Sequence, residues 1–291
     1  MKIQTFSIVA GTSVCDARCP FCVSKMTPEA GVKPQKTPIN IPNFRIACLL
    51  AKQAGVTTAM ITGKGEPALF PEDITTYLWE LEKTGIPILE LQTNGISLAQ
   101  DRIDERGLRE WYISNLRVIM ISVVDCDPEK NRQIYMPYAR EYIDLPALIE
   151  KLHGLGFSVR LSVTMMRDYI DSPHGVDRMI AFAKEHKVEQ LSMRPVRRPE
   201  VDGRSEEVYN WITPRLLGDA YIMVIRDHLD RLGTKLMTLM HGAVVYDVMD
   251  QNVCLTDCLT RGPLSEDLRQ IIYFPDGHIR YDWQYPGAII I

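Results

Sequence analysis

The sequence lacks the features that would place the chain in a membrane or outside the cell. It contains no run of 18 apolar residues, which excludes a transmembrane helix, and its first ten residues are too short and polar for a signal peptide. Seven cysteines, an odd number with no export signal, lead us to expect the reducing cytoplasm. A net charge of −4 gives no bulk attraction to nucleic acid or anionic lipid, so we expect no membrane partner and no broad nucleic-acid binding.

Low-complexity segments and internal repeats are also absent, and what recurs along the chain is a strand followed by a helix. The 291 residues, 46% apolar and 24% charged, are enough for a large globular core. Short β-branched strands that alternate with helices predict βαβ units and a parallel sheet. The predicted strands are 1–10, 57–61, 87–91, 117–122, 157–164 and 189–193, and the predicted helices are 43–54, 71–84, 128–152 (broken near Pro137 and Pro146), 176–186 and 213–232.

Six such units predict an α/β fold, a partial (β/α)6 TIM-like barrel. In a barrel of this kind the functional site lies at the carboxyl ends of the strands. Regular alternation stops near residues 233–240. We therefore expect a core barrel over residues 1–235 and a small C-terminal α+β appendage over residues 236–291.

Three of the seven cysteines, Cys15, Cys19 and Cys22, lie on one short loop after the first predicted strand, with the spacing Cys-x3-Cys-x2-Cys. A [4Fe–4S] cluster usually takes four thiolates, so a loop that offers three leaves one iron open to an exchangeable ligand. The alternatives are a structural zinc site or chance. Structural zinc requires four ligands, and no Cys or His lies close enough in sequence to complete the set. The spacing therefore favours an iron–sulfur cluster.

Glycine-containing loops follow the second and third predicted strands, at residues 62–67 and 92–95. Three further motif segments lie after the fourth predicted strand, at 122–129, and at the fifth and sixth predicted strands, at 159–167 and 191–195. In this order and at these strand ends, the chain resembles the radical S-adenosylmethionine (SAM) superfamily, and its MoaA-like members in particular. The resemblance runs from residue 3 to about residue 196 and implies an enzyme that binds a [4Fe–4S] cluster and SAM.

SAM carries an amino and a carboxylate group that can chelate the open iron. Glycine lets the backbone approach a ligand closely, and the resemblance implies that the carbonyls of Gly63–Pro67 hold the SAM ammonium group while Glu66 braces the loop. An ordinary strand-to-helix turn and a simple β-turn are the alternatives for the two glycine loops. By resemblance, the cluster ligands are Cys15, Cys19 and Cys22, and the SAM-binding residues are Phe21 (near adenine), Gly63, Lys64, Gly65, Glu66, Pro67, Thr93, Asn94, Ser122 and Ser162.

The chain departs from the family in two places. The usual Gly-Gly-Glu motif is replaced by Gly63-Lys64-Gly65-Glu66, a Gly-x-Gly-Glu form. Val124 stands where MoaA-like sequences commonly carry a carboxylate, with Asp125 one position later. Because that offset could shift the contacts to the ribose, we leave Asp125 out of the predicted site.

A second pair of cysteines, Cys254 and Cys258, precedes a strand-turn-strand pattern. This tail resembles, in degenerate form, the C-terminal extension that holds an auxiliary cluster in MoaA-like proteins. The third cysteine of that extension is missing, and Tyr281 or Asp282 stands about where it would be. Three interpretations remain open: a relic of a lost cluster site, a cluster or zinc site with another ligand, or a thiol that reacts with substrate. The other candidate ligands are Asp257 and His278. We predict one cluster only.

Two further groups are candidates for contact with a substrate. Cys126 follows the fourth strand and is a candidate hydrogen-atom donor, although a small cysteine of this kind is more often simply buried. Cys48, inside an amphipathic helix, is predicted to be core.

Arginines cluster after the sixth strand, where a barrel would present them to its cavity, and guanidinium groups bind phosphate or carboxylate. A solvated charged loop is the alternative. The candidate substrate-binding residues are Arg194, Arg197 and Arg198, with Arg204 nearby.

The resemblance implies reductive cleavage of SAM to a 5′-deoxyadenosyl radical that abstracts hydrogen from a substrate. The arginines favour an anionic small molecule such as a nucleotide or phosphosugar. A peptide-modifying maturase or activase, a methyl-transferring variant with a reactive cysteine, and a non-catalytic electron-transfer or sensing protein are the alternatives. The expected partners are the substrate, whether small molecule or peptide, and an electron donor such as flavodoxin or ferredoxin.

Overall fold

The computed structural model describes residues 3–199, 205–239, 242–256 and 268–291. In these ranges the strands belong to one sheet, and no helix is long and apolar enough to cross a bilayer. The strands are β1 (Ile3–Val9), β2 (Thr58–Thr62), β3 (Ile88–Thr93), β4 (Leu116–Val123), β5 (Ser158–Met165), β6 (Gln190–Pro195), β7 (Thr234–Thr238), β8 (Val244–Val248), β9 (Gln251–Leu255), β10 (Leu268–Tyr273) and β11 (Ile279–Arg280). The helices are α1 (Val23–Met26), α2 (Ile41–Gln53), α3 (Pro71–Glu82), α4 (Ile96–Ala99), α5 (Glu105–Ile113), α6 (Pro128–Tyr135), α7 (Leu145–Gly154), α8 (Pro173–Glu185), α9 (Glu206–Ile212) and α10 (Asp219–Leu232).

Strands β1 to β6 lie side by side in sequence order, and each neighbouring pair is parallel. Helices connect every successive pair: α2 lies between β1 and β2, α3 between β2 and β3, and α8 between β5 and β6. Consecutive parallel strands joined by helices form a partial (β/α)6 barrel. The predicted fold class is therefore confirmed.

The two faces of the sheet differ in polarity. Phe6 on β1 stacks against Phe44 of α2 with ring centroids 6.0 Å apart, and Phe6 and Ile8 are both fully buried. Successive side chains of a strand point to opposite faces, so Ser7, between them, faces away from the helices and into the barrel. The inward-facing residues that matter below are Glu90, Gln92, Arg160, Ser162 and Arg194.

The described C-terminal strands extend this same sheet at both of its edges. β10 pairs with β1 in parallel, and β9 pairs with β6 in parallel. β7 and β8 continue beyond β9 as antiparallel strands, and β11 pairs with β10. The predicted boundary between residues 235 and 236 falls within β7. The division of the chain into a barrel and an appendage stays a prediction.

Several helices differ from the prediction at their ends. The predicted helix 213–232 is a short 3-10 turn at Thr213–Arg215 and then α10, because Leu216 adopts an extended conformation between them. The predicted segment 128–152 is the two helices α6 and α7. Helix α5 was not predicted, although the Asp104 side chain accepts a hydrogen bond of 2.8 Å from the Gly107 amide and so caps it.

Candidate functional site

The three predicted cluster ligands lie on the loop after β1, at the carboxyl end of the barrel. Cys15, Cys19 and Cys22 are each partly buried and close enough to interact electrostatically. The Cys22 amide donates to the Cys19 carbonyl at 3.3 Å, and α1 begins at the next residue. Burial raises the pKa of the Cys15 thiol to about 12 and that of the Cys19 thiol well above its usual value. Burial therefore favours the protonated form of both thiols.

The three thiols of this loop form a set of soft donors, and the cluster expected from their spacing makes a particular demand on them. In the described ranges, no three His, Cys, Asp or Glu side chains converge to hold one metal ion. A [4Fe–4S] cluster makes a different demand, because each thiolate binds an iron of its own at a separate corner. Three soft donors on one loop fit that demand, and the ligation itself stays a prediction.

Residues 63–67, which follow β2, pack directly against the cysteine loop. The Gly65 amide donates to the Thr12 carbonyl at 3.1 Å, and the Glu66 amide donates to the Val14 carbonyl at 2.9 Å. A Cβ atom on Gly65 would lie 2.0 Å from the Val14 carbonyl oxygen. The two loops can therefore meet only if residue 65 has no side chain. This is a second reason for a glycine here, besides the predicted close approach of the backbone to a ligand.

The buried carboxylate of Glu66 joins the loops that follow β2 and β3. Its Oε1 accepts from the Thr93 hydroxyl at 2.6 Å and from the Ala68 amide at 2.9 Å, and its Oε2 accepts from the Asn94 amide at 2.9 Å. Ala68 lies in the short 3-10 turn that begins at Pro67. Burial raises the pKa of Glu66 to about 7, and the hydrogen bonds oppose the rise. These contacts brace the predicted SAM-binding loop.

Lys64 directs its side chain toward the segment that follows the cysteine loop. Its Nζ donates to the Pro28 carbonyl at 2.7 Å and to the Thr27 hydroxyl at 3.0 Å. The residue is 7% exposed. Burial lowers the pKa of Lys64 to about 8, while Cys22 and Glu29 act to raise it. With its ammonium engaged in this way, Lys64 offers its backbone, rather than its side chain, to a ligand at the loop.

Asn94 connects the loop after β3 to the cysteine loop through a residue that sequence reasoning missed. Its Nδ2 donates to Asp16 Oδ1 at 2.7 Å and lies 3.8 Å from the sulfur of Cys15. Asp16 Oδ2 accepts from the Ser97 hydroxyl at 3.1 Å and from Arg102 at 3.2 Å. Nothing in the spacing of the motif distinguishes Asp16 from the other residues between the cysteines, so no sequence signal pointed to it.

Phe21, the predicted adenine neighbour, belongs to an aromatic cluster beside the cysteine loop. Its ring lies edge-on to Tyr135, with centroids 6.5 Å apart, and 6.2 Å from the ring of Trp211. Tyr135 ends α6 and Trp211 lies in α9. The cluster therefore brings aromatic rings from three distant segments of the chain together next to the last cluster cysteine.

A predicted SAM contact and a predicted substrate residue meet on the inner face of the barrel. Ser122 of β4 lies opposite Ser162 of β5, which in turn lies opposite Ser192 of β6. Arg194 donates a hydrogen bond of 2.6 Å to the Ser162 hydroxyl. The residues predicted to bind SAM and those predicted to bind substrate therefore meet in one continuous polar surface, through Ser162 and Arg194.

The other two candidate arginines are turned away from Arg194. Arg197 donates to the Leu217 carbonyl at 3.3 Å, and the Arg198 guanidinium stacks 4.1 Å above the ring of Tyr209. Leu217 lies in the segment between α9 and α10, and Tyr209 lies in α9 itself. The structure therefore does not bring the three arginines together, and Arg204 lies outside the described residues.

A buried ion pair inside the barrel was also missed. Glu90 is fully buried, and its Oε2 lies 2.6 Å from Nη1 of Arg160. Gln92 donates to the other carboxylate oxygen at 2.8 Å. The sequence does contain a signal for it. Glu90 lies between the apolar residues Leu89 and Leu91 in a predicted strand, and alternation along a strand places Glu90 on the face opposite to theirs, which is the inner face.

Cys126 lies in a charged cluster at the start of the connection between β4 and α6. Its sulfur lies 3.4 Å from Asp125 Oδ1 and 3.3 Å from Nη2 of Arg178. Asp125 is fully buried and pairs with Arg178 and, at 3.1 Å, with Lys130. Burial raises the pKa of Cys126, so the thiol keeps the hydrogen that a donor requires. Its role as a hydrogen-atom donor stays a prediction.

Cys254 lies on β9 beside Ser192 of β6, and it interacts electrostatically with Arg160 and Arg194. It therefore faces the polar interior of the barrel. Its predicted companion Cys258 lies outside the described residues, as does Asp257. His278 pairs with Asp276 at 3.2 Å. The three interpretations of the cysteine pair stay open. Cys48 is buried in α2, as predicted.

No protein-family model matches the sequence, and no curated protein matches it. Solved structures with the same fold include radical SAM enzymes. Streptococcus suis SuiB bound to SAM has a TM-score of 0.61 and 15% identity, over 96% of this chain and 60% of that chain. SuiB bound to its precursor peptide SuiA has a TM-score of 0.57 and 14% identity, over 96% and 59%. The enzyme anSMEcpe with bound AdoMet has a TM-score of 0.59 and 13% identity, over 97% and 75%.

These similarities establish the fold. This chain has the architecture of radical SAM enzymes along nearly its whole length, and it spans about 60% of the length of SuiB. The fold to which the sequence motifs pointed is therefore confirmed by structures that share only 13–15% of their residues with it.

Proposed function

We propose that this chain, which has the radical SAM fold, is a radical SAM enzyme. The observation that supports the proposal is the meeting of three loops at one end of the barrel. The loop with Cys15, Cys19 and Cys22 makes backbone hydrogen bonds to the Gly-x-Gly-Glu loop, and Glu66 and Asn94 join both to the loop after β3. This meeting supports the proposal because three cysteine side chains, which are soft donors, lie beside a polar loop that contains two glycines.

The residues present fit the groups that the fold implies. Cys15, Cys19 and Cys22 would hold a [4Fe–4S] cluster, and SAM would lie against residues 63–67, Asn94 and the serines of β4 and β5. When bound, these groups supply one-electron cleavage of the SAM sulfonium and hence a 5′-deoxyadenosyl radical. The chain itself orients the ligand: Glu66 fixes the backbone of two loops, and Asp16 fixes the amide of Asn94.

The inner face of the barrel would hold the substrate. Arg194 has contacts to Ser162 and, weakly, to the sulfur of Met120, and it forms no ion pair in the part of the chain that the structure describes. By contrast, Arg160 is paired with Glu90. A guanidinium without a counter-ion in a polar cavity binds carboxylate or phosphate. We therefore infer an anionic substrate, such as a nucleotide or a phosphosugar.

A peptide substrate is the second candidate. It is favoured by the similarity to SuiB, whose structure with the precursor peptide SuiA has this fold. An acidic peptide would satisfy the same guanidinium. The cytoplasmic location, the lack of nucleic-acid binding and the flavodoxin-like or ferredoxin-like electron donor stay predictions.

The test is anaerobic. The chain is reconstituted with iron and sulfide, reduced with dithionite and given SAM, and 5′-deoxyadenosine is quantified by mass spectrometry. We expect product from the wild type and from Cys48→Ala, which removes a cysteine of the core, and none from Cys15→Ala. Equal cleavage by Cys15→Ala would overturn the proposal. If an intact cluster gives no product, a SAM-binding titration separates substrate-gated cleavage, which binds SAM, from a non-catalytic iron–sulfur protein, which does not.

A further inference from the structure

A buried lysine stands in the middle of the Gly-x-Gly-Glu loop. Lys64 is 7% exposed, although lysine is almost never so buried unless it is paired. Its two partners, the Thr27 hydroxyl and the Pro28 carbonyl, are both neutral. In the ranges that the structure describes, Lys64 forms no ion pair with a carboxylate. The chain thus keeps at this end of the barrel a buried positive charge that lies in no ion pair of the described residues; the exposed Glu29 acts on it only from beyond ion-pair distance.

The contacts of Lys64 hold that charge close to the third cluster cysteine. Thr27 donates a hydrogen bond of 3.0 Å to the Val23 carbonyl, so it closes the single turn of α1 that starts immediately after Cys22. The ammonium of Lys64 is bound to the end of this turn and interacts electrostatically with the Cys22 thiol. Its position relative to Cys22 is therefore set by the shortest helix of the site rather than by a flexible loop.

The other cations near this site are compensated or exposed. Arg280 forms two hydrogen bonds with Asp276, at 3.1 and 2.7 Å, which offset its charge. Lys25 interacts with Cys19 but is exposed to solvent, where water and salt screen it. Of these three cations, Lys64 is the one that is both buried and outside any ion pair of the described residues, and the carboxylate that acts on it, Glu29, is exposed, so the field of Lys64 is the least screened.

We propose that Lys64 is a positioning residue whose fixed positive charge raises the reduction potential of the cluster held by Cys15, Cys19 and Cys22. This inference rests on the proposed function. Reduction adds one electron to the cluster and makes the site more negative. A nearby buried cation stabilises that added charge, and the potential of a cluster depends on the charges and hydrogen bonds around it. The ammonium remains charged at pH 7, since burial lowers the pKa of Lys64 only to about 8.

The experiment compares midpoint potentials in reconstituted protein, by titration with dithionite monitored by electron paramagnetic resonance. Lys64→Met removes the charge and keeps the length of the side chain, and Lys64→Gln removes the charge and keeps a hydrogen-bond donor. Lys25→Met is the matched control, because it removes an exposed charge beside another cluster cysteine. Iron per chain and the thermal unfolding midpoint are measured for every variant.

We expect both Lys64 variants to have a more negative midpoint potential than the wild type and Lys25→Met to shift it less. An unchanged or more positive potential in a Lys64 variant that carries a full cluster would overturn the inference and leave the proposed function intact. If neither neutral variant takes up iron, Lys64→Arg decides between the two roles. A full complement of iron in Lys64→Arg supports a role for the positive charge. Loss of iron in Lys64→Arg shows that Lys64 acts through packing and overturns the inference. Failure of the wild type to hold a cluster would instead refute the proposed function.

Discussion

The Thr93 hydroxyl donates a hydrogen bond of 2.6 Å to the Glu66 carboxylate, across two neighbouring loops of the barrel. Both residues are buried, at 3% exposure each. The same carboxylate also accepts from the backbone of Ala68 and Asn94. A buried carboxylate destabilises the fold unless its oxygens accept hydrogen bonds. The stability of the folded chain therefore depends on the position of the two loops relative to each other.

Glu66 should make the stability of the iron-free chain depend on pH. Its pKa rises from 4.5 to about 7 in the folded chain because the carboxyl is buried. The folded chain therefore binds a proton that the unfolded chain releases, and the free energy of unfolding should fall as pH rises from 4.5 to 7, by roughly 3 kcal/mol at most. Glu66→Gln should flatten this dependence in anaerobic urea unfolding.

The control for Glu66 is Glu82→Gln, which changes an exposed carboxylate at the end of α3. This variant should keep the pH dependence of the wild type. An undiminished slope in Glu66→Gln would show that other groups cause it.

Gly65→Ala should destabilise the chain by about 1–3 kcal/mol, as expected for overpacking. The added methyl group would lie 2.0 Å from the Val14 carbonyl oxygen, so the cysteine loop has to move. We expect a lower midpoint of urea unfolding and less iron bound per chain.

Gly154→Ala is the matched control for Gly65, because a Cβ atom at Gly154 meets nothing within 4 Å. It lies at the end of α7, and the substitution should leave stability unchanged or raise it by about 0.4–1 kcal/mol. Equal destabilisation of both variants would contradict the contact between the loops.

Asp16→Asn should weaken SAM binding about tenfold, which corresponds to about 1.4 kcal/mol. The carboxylate of Asp16 orients the Asn94 amide and accepts from Ser97 and Arg102, whereas an amide cannot accept on both sides. The measurement is an anaerobic SAM titration of the reconstituted protein. Asp101→Asn, which affects only the exposed pair with Lys151, should bind SAM as the wild type does. Equal affinities in all three proteins would remove Asp16 from the site.

Arg194→Gln should weaken the binding of anions in the barrel. We expect phosphosugars, nucleotides or acidic peptides to raise the thermal midpoint of the wild type and of Arg198→Gln, whose side chain stacks on Tyr209 outside the interior. For the class that binds, Arg194→Gln should lose at least tenfold in affinity, as for a hydrogen bond to a charged group. Stabilisation by peptides alone would favour the second candidate function, and an unaffected Arg194→Gln would contradict the assignment of the cavity.

Local patterns account for what could be predicted of the site. The spacing of Cys15, Cys19 and Cys22 predicts a metal-binding loop by itself, since the three donors are within eight consecutive positions. The alternation of strands and helices specified the order of β1 to β6, because consecutive parallel strands joined by helices pair with each other. Helix ends were less accurate where an extended residue such as Leu216 interrupts an apolar pattern.

Groups that act through distant partners could not be predicted in this way. Asp16 is one of several polar residues in its loop until folding brings Asn94 within 2.7 Å. Lys64 looks like a surface residue until the segment after the cysteine loop covers it. Arg197 and Arg198 follow Arg194 closely in sequence, yet Leu217 and Tyr209 turn them elsewhere. The sequence lists these side chains, but their contacts form only when distant segments of the chain pack together.

The sequence by itself thus determined the fold class and the cysteine loop, because hydrophobic periodicity and ligand spacing are properties of short segments. Only the tertiary structure decided where the C-terminal strands lie, since pairing Ile3 with Leu268 joins the two ends of the chain. It also decided which charges face the interior. Burial, which shifts the pKa of Glu66 and Lys64, arises from packing between loops that are far apart in sequence.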